Sequence, residues 1–170
     1  MIKKILTLLC LLFLISCGSA SKTVRNTKQS STSSPTSSTE KEPTLADKVV
    51  WTAVSYKGIP YRFGGLNEDG MDCSGLVYVS FKKRDIDLPR SSRLMYTKGH
   101  PISLNEVKRG DLLFFKTSSK SGSVNHVGLV TSVKRGDIRF IHSTTSKGVL
   151  VSSLRERYWK RAFIKAKRVL

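Results

Sequence analysis

The chain has 170 residues, with 30 Lys and Arg against 12 Asp and Glu, a formal charge of +18. That length allows one domain with its own core and leaves little room for a second. So basic a balance implies an anionic partner or surface, and only three cysteines are too few for a disulfide-stapled scaffold.

Met1-Ile2-Lys3-Lys4 is a short cationic start, and Ile5 to Ile15 is an apolar run too short to cross a bilayer as a mature helix. Together they read as a secretory signal peptide over residues 1–16. It ends in Leu14-Ile15-Ser16-Cys17-Gly18, which resembles the lipobox of bacterial lipoproteins, where the cysteine becomes the acylated first residue. Cys17 is therefore the expected lipidation site and the expected link to a membrane. Gly18 lacks the aspartate associated with inner-membrane retention in enteric bacteria, which leans the expectation towards an outer-membrane anchor facing the periplasm.

Cys10 lies in the discarded segment and Cys17 carries the lipid, so Cys73 is left with no intramolecular partner. In an exported protein such a thiol points to reactivity. Without Lys3 and Lys4 the charge is still +16. In that compartment acidic envelope polymers or lipid headgroups are the fitting anions, and nucleic acid is not an expected partner. Residues 17–43 are dominated by Ser and Thr and cannot bury enough surface to offset chain entropy. They read as a tether that spans ~30 Å r.m.s. as a coil and ~90 Å fully extended.

Residues 44–170 read as the globular domain. Thr44 and Asp47 mark a helix start. Leu45, Val49, Thr52, Ala53 and Tyr56 then recur at helical spacing up to Gly58. An extended segment from Ile59 to Gly65 leads to a Gly- and Asp-rich turn. There Asp72 can cap a second helix whose first turn holds Cys73 and whose apolar run is Leu76 to Phe81. The positive end of that helix predicts a depressed thiol pKa, and the Cys73 N–H is an expected oxyanion donor. Leu88 to Ser92 is a loop before a short helix around Leu94-Met95-Tyr96, closed by Gly99.

The periodicity then becomes that of strands: Asp111 to Phe115, His126 to Val133, Ile138 to Ser143 across a hairpin at Gly136, Val149 to Ser152, and Phe163 to Val169. Helices first and a mainly antiparallel sheet of about five strands second is an α+β arrangement. Two Arg-Gly-Asp tripeptides, at Arg109 and Arg135, fall where turns are needed and read as turns. His100 sits beside Pro101 in a loop and carries no signal.

His126, near the start of one strand, and His142, near the end of its hairpin partner, can be neighbours. A Cys, a His and a third polar group that orients the imidazole form the general nucleophile and base arrangement. Zinc bound by Cys73, His126 and His142 is the rival chemistry, but neither Cys-x-x-Cys nor His-x-x-x-His occurs. No metal and no cofactor are expected.

Tyr61-Arg62-Phe63-Gly64-Gly65, Asp72-Cys73-Ser74-Gly75, Leu88-Pro89-Arg90-Ser91-Ser92, Gly110 to Phe115, His126-Val127-Gly128-Leu129 and Phe140-Ile141-His142 in this order resemble the NlpC/P60 cell-wall cysteine peptidases. The likeness covers nearly all of the chain from Thr44 onward. It is strongest to the small Spr-like lipoproteins, which share the lipobox, tether and single domain. The resemblance implies a papain-like α+β fold with Cys73 as nucleophile, His126 as base and His142 as the third polar residue. It also implies that Tyr61 lies near the thiol as an oxyanion ligand.

The implied substrate is the stem peptide of bacterial peptidoglycan, cut between γ-D-glutamate and a diamino acid or at a D,D-crosslink. Asp72, Ser74 and Arg90 are candidate substrate contacts, Arg90 because a guanidinium binds a carboxylate bidentately. A single-copy enzyme is expected. The chain has Met95 where the family often has glutamine, which puts that side chain's substrate contact in doubt. Two other readings use the same fold, a wall-binding lipoprotein that no longer cuts and an acyltransferase that passes the thioester to an amine.

Overall fold

The computed structural model describes residues 42–118 and 122–170. The expected signal segment, the lipidation site Cys17 and all but the last two residues of the tether lie outside the described residues.

Thr44 opens α1 (Leu45–Ser55) with a capping box. Its hydroxyl accepts the Asp47 N–H at 3.1 Å, and Asp47 Oδ2 accepts the Thr44 N–H at 3.0 Å. Val49, Val50 and Ala53 are fully buried, whereas Leu45 is exposed. Gly58, at φ +93, then turns the chain onto the edge of a sheet. Its N–H donates to the Val149 carbonyl at 2.9 Å, and the Val149 N–H donates to the Ile59 carbonyl at 2.8 Å.

The stretch expected as a turn forms a small antiparallel ribbon, β1 (Leu66–Asn67) with β2 (Gly70–Met71). Strands of two residues carry no readable alternation, so only the turn composition showed in the sequence. Next come α2 (Cys73–Lys82) and α3 (Ser92–Met95), each at its expected place.

The main sheet has six strands: β3 (His100–Ile102), β4 (Leu112–Phe115), β5 (His126–Lys134), β6 (Asp137–Thr144), β7 (Gly148–Ser153) and β8 (Phe163–Arg168). Their order is β3-β8-β4-β5-β6-β7 and all pairings are antiparallel. The five expected strands are present. The sixth, β3, contains Pro101 and falls where the sequence predicts a loop; it lies at the edge of the sheet, the position in which a strand tolerates a residue without an N–H. A further short helix, α4 (Arg157–Ala162), precedes β8.

β4 shows how the sheet divides the core. Leu112 and Phe114 enter the cluster formed with α1 and α2, and Leu113 and Phe115 enter a second cluster with Trp159 and Ala162 of α4. All four are fully buried, so the strand reads as a continuous apolar run rather than an alternating one. Both Arg-Gly-Asp tripeptides sit in turns, with their aspartates partnered within the fold. Arg109 pairs with Asp47 at 2.7 Å and Asp111 with Arg168 at 2.8 Å, while Asp137 accepts from Ser153 and Arg139 in the β5–β6 hairpin.

Candidate active site

Cys73 is the first residue of α2 because Asp72 caps it: Asp72 Oδ1 accepts the Gly75 N–H at 2.6 Å. The loop before it is held from two directions. Asp72 Oδ2 accepts the Gly64 N–H at 2.8 Å, and the Ser143 hydroxyl of β6 donates to the Met71 carbonyl at 2.7 Å. Gly75 is required by close approach, since a Cβ there would stand 2.2 Å from the Gly65 carbonyl oxygen.

The sheet supplies the imidazoles. His126 Nε2 lies 2.9 Å from His142 Nδ1, and His142 Nε2 lies 3.1 Å from the Ser152 hydroxyl. The chain of contacts therefore crosses three neighbouring strands, β5, β6 and β7. It leaves Nδ1 as the His126 nitrogen available to a thiol. Both ring nitrogens of His142 have partners. Among the described residues no group of three or more His, Cys, Asp or Glu is placed to hold a metal ion.

Trp159 covers the pair, stacked on His126 at 5.3 Å and edge-on to His142 at 4.4 Å. Phe140 flanks His142 at 4.8 Å and occupies the space above Gly128, where a Cβ would meet its ring at 2.5 Å. A side chain at position 128 would thus push the aromatic wall of the site outward.

Burial governs the charges. Desolvation holds His126 down to about 4, and desolvation followed by repulsion from His126 holds His142 down to about 3. Burial also pushes the Cys73 thiol up, and the neighbouring Asp72 carboxylate adds to this; the backbone N–H groups of Val127, Ser74 and Cys73 oppose it. The depressed thiol pKa expected from the helix terminus is therefore reversed. Removal of the sulfur from water outweighs these N–H groups, and the residue that caps the helix is itself an anion beside the thiol. At neutral pH the resting groups are a thiol and two neutral imidazoles. Burial, then the Cys73 and Asp72 charges, push Tyr61 up, so its phenol keeps a proton to donate.

Cys73 lies where two pockets meet, and Tyr61 and Asn125 line both with it. One, about 530 Å³, is bounded by Phe63, Asp72, Ser74 and Arg90. The other, about 250 Å³, is bounded by Thr117, His126, Ser143 and Trp159. The structure thus brings Cys73, His126, Tyr61, Asp72, Ser74 and Arg90 to one cleft, with His142 behind His126. Arg90 reaches it already partnered, its Nη1 and Nη2 on the two Asp72 oxygens at 3.0 and 2.8 Å and its Nη1 also 3.0 Å from the Ser74 hydroxyl. Desolvation works against the Asp72 carboxylate, but Arg90 and the Gly75 and Gly64 N–H groups together hold it below the usual range. Met95 is fully buried in the helix-side core, so its side chain makes no contact in the cleft.

The sequence marks Trp159, with Tyr158, only as part of the likeness to the family, and gives no signal for Ser152 or Asn125. A serine in a strand carries no local signal; only the pairing of β6 with β7, which sets Phe140 opposite Ser152, could have placed Ser152 near His142.

Fold and site together define an α+β protein of the cysteine peptidase class. The chain belongs to the NlpC/P60 family, whose sequence profile matches residues 58–168. It is 42% identical over 116 residues to a probable endopeptidase NlpC of Escherichia coli, covering 68% of this chain and 72% of that one. It is 36% identical to the murein DD-endopeptidase MepS/murein LD-carboxypeptidase of the same organism, over 68% of this chain and 58% of the relative. Among solved structures, an NlpC/P60 family protein from Bacillus cereus superposes with a TM-score of 0.67 at 29% identity, over 75% of this chain and 41% of that one.

Proposed function

We propose that this protein hydrolyses peptide bonds of bacterial peptidoglycan through a thioester on Cys73. The observation that carries the reading is the convergence of the helix-start thiol and the His126–His142–Ser152 chain on one cleft. With Nε2–H of His126 donating to His142 Nδ1, and Nε2–H of His142 donating to Ser152, the lone pair of His126 Nδ1 is left to take the thiol proton. Thiol and imidazole are each costly to charge alone in this site, and proton transfer creates both charges as a mutually stabilised pair.

The thiolate attacks the scissile carbonyl, and the Tyr61 hydroxyl with the Cys73 N–H stabilises the oxyanion. The imidazolium gives its proton to the leaving amine as the carbon–nitrogen bond breaks. Water, deprotonated by His126, then splits the thioester and returns the thiol. The bond we infer is one next to a diamino acid, either γ-D-glutamyl or a D,D-crosslink; the name of the second E. coli relative supports the latter. We infer also that Cys17 carries a lipid that tethers the domain beside the wall.

Purified peptidoglycan and crosslinked muropeptides, incubated with the protein and with Cys73→Ala, test this by product mass. Cleavage by the first alone supports the reading and names the bond. Binding by both without cleavage would replace it with a wall-binding role.

A further inference from the structure

A third pocket, about 580 Å³, opens beside the catalytic cleft and is lined by Lys116, Thr117, Arg157, Tyr158, Arg161 and Ala162. Thr117 and Tyr158 also line the His126 side of the cleft, so the two spaces adjoin. The pocket has three cations and no acid in its wall. Among the described residues none of the three pairs with a carboxylate. Arg90, on the other side of the sulfur, has its fork on Asp72.

The three cations are set in place by the fold. The Lys116 N–H donates to the Ala162 carbonyl at 2.8 Å, which ties the end of β4 to the end of α4. Arg157 and Arg161 are four residues apart on α4 and so share a face. Tyr158, largely exposed, stands between these cations and the imidazoles, edge-on to Trp159 at 4.8 Å.

The chemistry assigns a side to this pocket. The imidazole that protonates the departing amine must lie on the leaving-group side of the sulfur. The cationic pocket adjoins the cleft on the side of His126 and Trp159, whereas the pocket holding Asp72 and Arg90 does not include His126.

We propose that Lys116, Arg157 and Arg161 form a subsite for a carboxylate carried by the leaving-amine half of the substrate peptide. This rests on the hydrolase reading and deepens it: the preferred substrate releases an amine-bearing fragment with a free carboxylate rather than a carboxamide. A guanidinium pair can hold such a group bidentately, and at this exposure it favours the free carboxylate by about tenfold at low salt. The preference shrinks as ionic strength rises.

The test uses two synthetic crosslinked stem peptides that differ only in a carboxylate or a carboxamide on the leaving segment. The full chain and its Arg157→Ala/Arg161→Ala variant are compared on both, and the same peptides are titrated into Cys73→Ala with and without the two arginine changes. The expected result is about tenfold higher kcat/KM for the carboxylate peptide, carried by KM, and equal rates on both peptides for the double arginine variant. Equal rates on the two peptides by the unaltered chain, or a full preference kept by the variant, overturns the subsite. If nothing is cleaved, the hydrolase reading fails by itself. The titrations then decide the subsite: tighter binding of the carboxylate peptide that is lost with the arginines supports it, and equal binding overturns it.

Discussion

Two neutral imidazoles buried in contact make the domain sensitive to acid in a calculable way. His142 is fully buried and His126 is 7% exposed, and both are held well below the ordinary 6.5, at about 3 and about 4. The unfolded chain therefore binds protons at these residues below pH 6.5 that the folded one refuses, so stability falls as pH drops from 6.5 towards the folded values. At pH 5 both folded values lie below the ambient pH, and each histidine costs about 2 kcal/mol relative to pH 7, about 4 kcal/mol for the pair. Asp47 and Asp72, whose pKa values are lowered, contribute stability above their unfolded value of 3.8 and lose it only under more acidic conditions, so the histidines dominate this window.

Urea unfolding at pH 7 and pH 5, with the midpoint and slope read at each, measures the difference. His142→Asn should unfold more easily at pH 7 yet lose only about half as much stability between the two pH values. A loss of less than ~1 kcal/mol by the unaltered domain, or an unchanged loss in His142→Asn, would refute the claim that the pair is buried neutral.

Two further outcomes are expected. Ser152→Ala leaves the His142 Nε2–H without its acceptor, which costs about 1–3 kcal/mol of stability and loosens the tautomer of His126. On the hydrolase reading kcat should fall about threefold to tenfold with KM little changed, and Ser152→Thr should restore it; an unaltered kcat in Ser152→Ala denies Ser152 a positioning role. Asp72→Ala removes the α2 cap and the acceptor of Arg90, whose side chain is 35% exposed. Discounted for that exposure the loss is about 2–3 kcal/mol in thermal or urea unfolding, and a change below ~1 kcal/mol would mean that neither contact matters.

Much of the fold was legible because local physics controls it. Thr44 and Asp47 at the start of α1, Asp72 at the start of α2 and Gly136 in the β5–β6 hairpin act within four residues of themselves, and the five longer strands carry apolar runs that a short window reveals. The ordered motifs around Cys73, His126 and His142 named the family for the same reason. β1, β2 and β3 escaped because two or three residues, one a proline, hold no periodicity.

What only the tertiary structure decided depends on neighbours far apart in the chain. The helix-start position of Cys73 argues for a low thiol pKa, and the burial that reverses it exists only once α2 is packed against β5, while the Asp72 charge that adds to it comes from the neighbouring residue. Ser152 meets His142 through strand pairing, and Arg90 reaches Asp72 from 18 residues away. The cations of Lys116, Arg157 and Arg161 gather around one pocket because β4 and α4 end side by side. Residue types and spacing determined which chemistry was available to this chain; desolvation and long-range pairing, which no local window contains, determined its protonation states and the shape of the site around it.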